Sequence, residues 1–176
     1  MKISRQSSLL LIVDMQAKLM PAIERGSDVI ANVKKLCAAA NSLGVPSVVT
    51  EQNPEGLGKT VGGLGCETAE VVCKSTFDAT EADGFSRAVP QGREIVVAGC
   101  EAHVCVTQTS LGLIEKGYPV FLVVDAIGSR RGASRDVAVG RLAAAGVQTV
   151  TTEMVLFEWM GSSRHKEFKK ILQLVR

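Results

Sequence analysis

The feature that most constrains this chain is a series of short, unbroken apolar runs rich in β-branched residues. In Ile95-Val-Val-Ala98 no polar residue alternates with an apolar one, so both faces call for burial, as in a central strand of a parallel sheet. Residues 8 to 13, Ser47-Val-Val-Thr50, Val71-Val-Cys73, Val120 to Val124 and Val147 to Val150 repeat the theme. Helical spacing fills the intervals. Ser27-Asp28 is expected to cap a helix that runs to Leu43, with Val29, Val33, Leu36, Cys37 and Ala40 on one side and Gly44 ending it. Helical patterns also start near Val104, run through an alanine-rich stretch to Gly146, and cover 153–160 and 163–176. Strands alternating with helices predict an α/β fold: a parallel sheet with helices laid across both faces by right-handed crossovers.

With 176 residues, 46% of them hydrophobic, residues 1–176 are expected to form one domain around a sizeable core. Twenty basic and eighteen acidic residues are scattered and leave a net charge of +2, which argues against nucleic-acid or membrane binding and for a small-molecule or protein partner. The apolar run Leu9–Val13 stops at Asp14, too soon for a signal or transmembrane segment. Five cysteines without a CxxC pair fit a reducing, cytoplasmic compartment. The glycine-rich stretch 54–65 lacks GxxxxGK[ST], so it is read as a mobile rim or subunit contact rather than a phosphate cradle.

Ligands of open parallel sheets bind beyond the carboxyl ends of the strands. Asp14, Lys74 and Cys105 each follow a different strand to that edge. Taken singly they have ordinary explanations: a capping carboxylate, a solvated lysine, a small buried thiol. Together they supply a proton acceptor, a cation and a nucleophile. A cysteine in the first turn of a helix is expected to be favoured as thiolate, because unpaired N–H groups and the helix dipole stabilise its charge. Iodoacetamide should then label Cys105 ahead of the other four cysteines.

Leu11-Ile-Val-Asp14-Met-Gln16, Lys74-Ser-Thr-Phe77 and Gly99-Cys-Glu101-Ala-His-Val-Cys105-Val resemble the isochorismatase-like cysteine hydrolases, over essentially the whole chain. Thr50-Glu-Gln52-Asn-Pro54, Asp125-Ala-Ile-Gly-Ser129-Arg130 and Thr151-Thr-Glu153-Met-Val-Leu-Phe157 look closest to the branch called isochorismatase domain-containing proteins. The resemblance implies a three-layer α/β/α fold of six parallel strands in the order 3-2-1-4-5-6, an Asp14–Lys74–Cys105 triad, and commonly a homo-oligomer. It also implies a cis peptide before Glu101, with the Glu101 and Cys105 N–H groups as oxyanion hole. Gln16 is expected to orient Asp14, and Phe77 to wall the pocket. That strand order leaves Lys74 two strands from Asp14, ~9–10 Å across the sheet, so its stem must lean inward.

Nicotinamidases of this superfamily carry a metal-binding Asp and two His near the position of Thr50 to Pro54. Nothing comparable stands here, so no metal and no other cofactor is expected. Cys100, His103 and Cys105 lack a fourth ligand and the usual zinc spacing. Relatives that cleave a vinyl ether can lack the cysteine, so its presence favours acyl transfer, with a small amide as the expected substrate. Two other readings stay open: a silent binding or assembly protein using 54–65 and 153–176 as interfaces, and a redox thiol with Cys100 as resolving partner.

Overall fold

The computed structural model describes residues 1–175. Six strands form one sheet: β1 (Ser8–Val13), β2 (Ser47–Gln52), β3 (Glu70–Lys74), β4 (Glu94–Cys100), β5 (Val120–Gly128) and β6 (Gln148–Val150). Every neighbouring pair is parallel and the order is β3-β2-β1-β4-β5-β6. The principal helices are α1 (Gly26–Leu43), α4 (Thr107–Glu115), α5 (Gly132–Ala144), α6 (Thr152–Met160) and α7 (Phe168–Leu174), and two single turns, α2 (Pro54–Leu57) and α3 (Phe85–Ala88), lie between them.

The apolar runs need no alternation because the sheet is covered twice. Leu10 and Ile12 of β1 enter a core with Val33, Leu36, Leu156 and Trp159 of α1 and α6. Leu9, Leu11 and Val13 point the other way and pack with Phe85, Val106, Leu113 and Leu142. Trp159 donates its indole N–H to Ser8 Oγ at 2.9 Å, which satisfies the polar atoms where α6 meets β1.

Several local expectations need correction. Ser27 and Asp28 do not cap α1: the helix begins at Gly26 after Arg25 in a left-handed conformation, and Asp28 pairs with Arg25 at 2.7 Å. β5 does not stop at Val124 but runs to Gly128, and its register against β4 shifts between Val97 and Gly99. Asp125 instead accepts hydrogen bonds from the Thr152 N–H and hydroxyl at 2.7 and 3.0 Å and so holds the start of α6. Of the tail at 163–176, the helix covers Phe168–Leu174; Arg176 lies outside the described residues.

The glycine-rich stretch is tied back to the segment that follows β1. Val61 N–H bonds to Met15 O at 2.8 Å, Ala17 N–H to Lys59 O at 3.0 Å, and Leu64 is 1% exposed. Such anchoring satisfies the backbone of a long connection that would otherwise depend on water.

Candidate active site

The centre of the sheet's carboxyl edge is set by two chain exits. β1 ends at Val13 and Asp14 follows with φ of 48°, a left-handed conformation that is uncommon outside glycine but tolerated by aspartate. That bend turns the carboxylate inward, where it is fully buried. β4 ends beside it. Gly99 has φ of 116° and any Cβ there would collide with the Val13 carbonyl, so only glycine lets the two exits lie this close. The Cys100–Glu101 peptide that follows is cis.

Lys74 at the end of β3 closes the gap by leaning across the end of β2. Its ammonium sits 2.8 Å from Asp14 Oδ2, and neither side chain is exposed to solvent. Two further acceptors complete the ammonium: Gln52 Oε1 at 2.7 Å and Thr76 O at 3.3 Å. The other carboxylate oxygen of Asp14 accepts the Thr50 hydroxyl at 2.6 Å. A buried ion pair survives only if its remaining donors and acceptors are met, and here they are.

Cys105 does not occupy the first turn of an α-helix. Ala102–Val106 form a π-helical turn ahead of α4, with Val106 N–H reaching Glu101 O at 3.2 Å. Cys105 is 7% exposed, and the charges of Asp14 and Lys74 bear on its thiol with opposite sign. Burial and then the Asp14 charge push the thiol up to about 12, while Lys74 pulls it down less strongly. The direction is opposite to the expected thiolate, because desolvation outweighs the helix end. Iodoacetamide at neutral pH is accordingly expected to modify exposed Cys73 before Cys105. Cys105 labelling should then climb about tenfold per pH unit from pH 7 to 9, and a plateau in that range would contradict a raised thiol.

Gln16 and Phe77 differ from expectation. Gln16 is buried, but its amide holds the chain rather than Asp14, accepting from Gln52 N–H at 2.8 Å and donating to Gln52 O and Gly58 O at 3.0 and 2.6 Å. Phe77 is 51% exposed and lies on the surface. Thr50 and Gln52 take the positioning roles that sequence reasoning missed; the one available signal was that both lie at the end of β2, directly beside β1. Thr50→Val, nearly isosteric, should leave one Asp14 oxygen without its hydroxyl and cost about 1–3 kcal/mol. Thr50→Ser should restore the stability, as thermal melts of the two variants would show.

Glu101 turns away from Cys105, accepting from Arg130 N–H and Nε at 3.0 and 3.1 Å, and His103 Nδ1 lies 2.9 Å from Ser129 Oγ. One cavity of about 390 Å³ is lined by His103, Arg130, Arg131 and Ser134, and another of about 500 Å³ by residues including Gln52, Lys74 and Ser75. Among the described residues no group of three or more His, Cys, Asp or Glu side chains is placed to hold a metal ion, and no helix is long and apolar enough to cross a membrane.

With this geometry in place, the Isochorismatase domain matches residues 8–154. The chain belongs to the isochorismatase family. Isochorismatase domain-containing protein 2 of Danio rerio is 36% identical over 99% of this chain and 89% of its own length. Among solved structures the isochorismatase fold is shared with the MAR1 ribonuclease of Caenorhabditis elegans: TM-score 0.93, 32% identity, 99% of this chain and 92% of that one. It is shared as well with the YcaC gene product of Escherichia coli, described as an octameric hydrolase of unknown specificity: TM-score 0.88, 25% identity, 98% and 95% of the two chains.

Proposed function

We propose that the protein is a cysteine hydrolase that cleaves the C–N bond of a small amide through a thioester on Cys105. The observation that carries this reading is the convergence of a buried Asp14–Lys74 ion pair on a thiol kept protonated in the resting state. Asp14 accepts the thiol proton as sulfur attacks the carbonyl carbon, and Lys74 holds the charge that moves between them. The oxyanion rests on the Glu101 and Cys105 N–H groups. Asp14 then returns the proton to the departing amine, and water, deprotonated by the same carboxylate, releases the acid.

At each step the Lys74 cation faces one negative charge, on Asp14 or on the oxyanion, so no isolated charge has to form in the interior. Of the cavities beside the edge, the one lined by Gln52 and Lys74 lies against the residues that hold Asp14. A homo-oligomer, as in the octameric YcaC protein, would cover half-exposed Phe77.

A panel of small aliphatic, aromatic and carbamoyl amides, with an RNA oligonucleotide alongside, tests the reading by ammonia or amine release. Release from at least one amide, lost in Cys105→Ala, is the expected result. Cleavage of RNA alone, or amide turnover that survives Cys105→Ala, would refute it.

A further inference from the structure

Away from the Asp14 cluster, two more thiols meet where the glycine-rich segment lies on α1. Cys37 in the second half of α1 is 1% exposed and Cys66 is 8% exposed, and neither is in a disulfide. The backbone is arranged to bring them together. Gly65 adopts φ of +86°, and a Cβ placed on it would lie 3.5 Å from Cys37 Cβ. Asn41, one turn along α1, donates its side-chain amide to Gly65 O at 2.7 Å, and Ala69 N–H closes the following turn on Cys66 O at 2.9 Å. Both side chains enter the same buried core.

Each thiol bears on the proton of the other: Cys66 is lowered by neighbouring Cys37 despite burial and the nearby Glu67 charge, and Cys37 is raised by Cys66 and by its own burial. One thiol is thus readied as nucleophile with a second already beside it. Cys100 offers Cys105 no such partner, since its sulfur faces Met15 in the α1 core while Cys105 packs in the core on the opposite face.

We infer that Cys37 and Cys66 form an oxidisable dithiol that closes to a disulfide on exposure to peroxide and clamps the glycine-rich segment onto α1. The Cys66 thiolate attacks one peroxide oxygen, forming an S–O bond as the O–O bond breaks and hydroxide leaves. Cys37 then attacks the sulfenic sulfur, the S–S bond replaces S–O, and water departs with the Cys37 proton. Two thiols are oxidised and one peroxide is reduced to two waters. The clamp bears on the candidate active site: Gly58 O accepts from Gln16 at 2.6 Å and Thr60 N–H donates to Glu51 at 2.7 Å, on either side of the Gln52 that holds Lys74.

Full-length native protein treated with hydrogen peroxide, blocked with N-ethylmaleimide in denaturant and mapped without reduction gives the test. Cleavage at Glu67 and Glu70 separates Cys66 from Cys73. The expected product is a Cys37–Cys66 linked peptide, about 2 Da lighter than its two thiols and reversed by dithiothreitol. In Cys37→Ser the Cys66 sulfenic acid should persist and be captured by dimedone, and tryptic cleavage after Lys59 should slow several-fold on oxidation of the native chain only. Recovery of both cysteines as maleimide adducts while other thiols oxidise, or a link from either to a third cysteine, would overturn the dithiol. Unchanged cleavage after Lys59 would overturn the clamp.

Discussion

Cys105→Ala is expected to lower amide turnover on the order of 10³-fold or more while leaving the fold in place. The asymmetry follows from where the sulfur sits. Removing it deletes one buried atom on the edge of a core, a change that costs about 1 kcal/mol in stability, yet it removes the sulfur on which the proposed thioester forms. Cys105→Ser separates nucleophilicity from size: the hydroxyl fits the space, but Asp14 would have to take a proton from a far weaker acid, so turnover should remain near the alanine level. Initial rates and a thermal melt on each variant check both halves, and activity loss that merely tracked unfolding would contradict this account.

Lys74→Met should destabilise the protein by about 3–5 kcal/mol, because it leaves the Asp14 carboxylate buried without its cation. It also strands the Gln52 side-chain carbonyl, which now accepts from the ammonium at 2.7 Å. For a chain of this length the melting temperature should fall by roughly 10 °C. Asp14→Asn in the same background removes the orphaned charge, so the double variant should be more stable than Lys74→Met alone. Additive losses in that cycle, read from chemical denaturation, would mean that the two side chains do not act as a pair.

Raised thiols also fix the alkaline limit of stability. Cys100 and Cys105 are both pushed up to about 12 from an ordinary 9.0, in each case first by burial. The unfolded chain therefore gives up these protons first, and their contribution, complete below pH 9, is lost as pH rises toward 12.

The parallel sheet was legible because unbroken apolar runs leave few alternatives, and the edge positions of Asp14 and Lys74 follow directly from where those runs stop. The order of the strands came from a resemblance, not from the runs themselves, which look alike. What stayed hidden depends on distances between strands. That Thr50, not Gln16, bonds the Asp14 carboxylate requires knowing that Val13 pairs with Thr50, a register absent from local pattern. The Cys105 proton was misjudged for a related reason: helix-end electrostatics can be read from sequence, whereas the burial that outweighs it belongs to the assembled core. The glycine-rich stretch misled in the same direction, since its composition indicates freedom while its carbonyls and amides are tied to Met15, Gln16 and Ala17.

Intact-mass analysis of the protein mixed with an amide it hydrolyses, and quenched in acid within one turnover, tests whether a thioester forms on Cys105. The expected result is a mass increase equal to the acyl group, mapped to Cys105, sensitive to hydroxylamine and absent in Cys105→Ala. An unmodified Cys105 during active turnover, or an acyl group on any other residue, would contradict it.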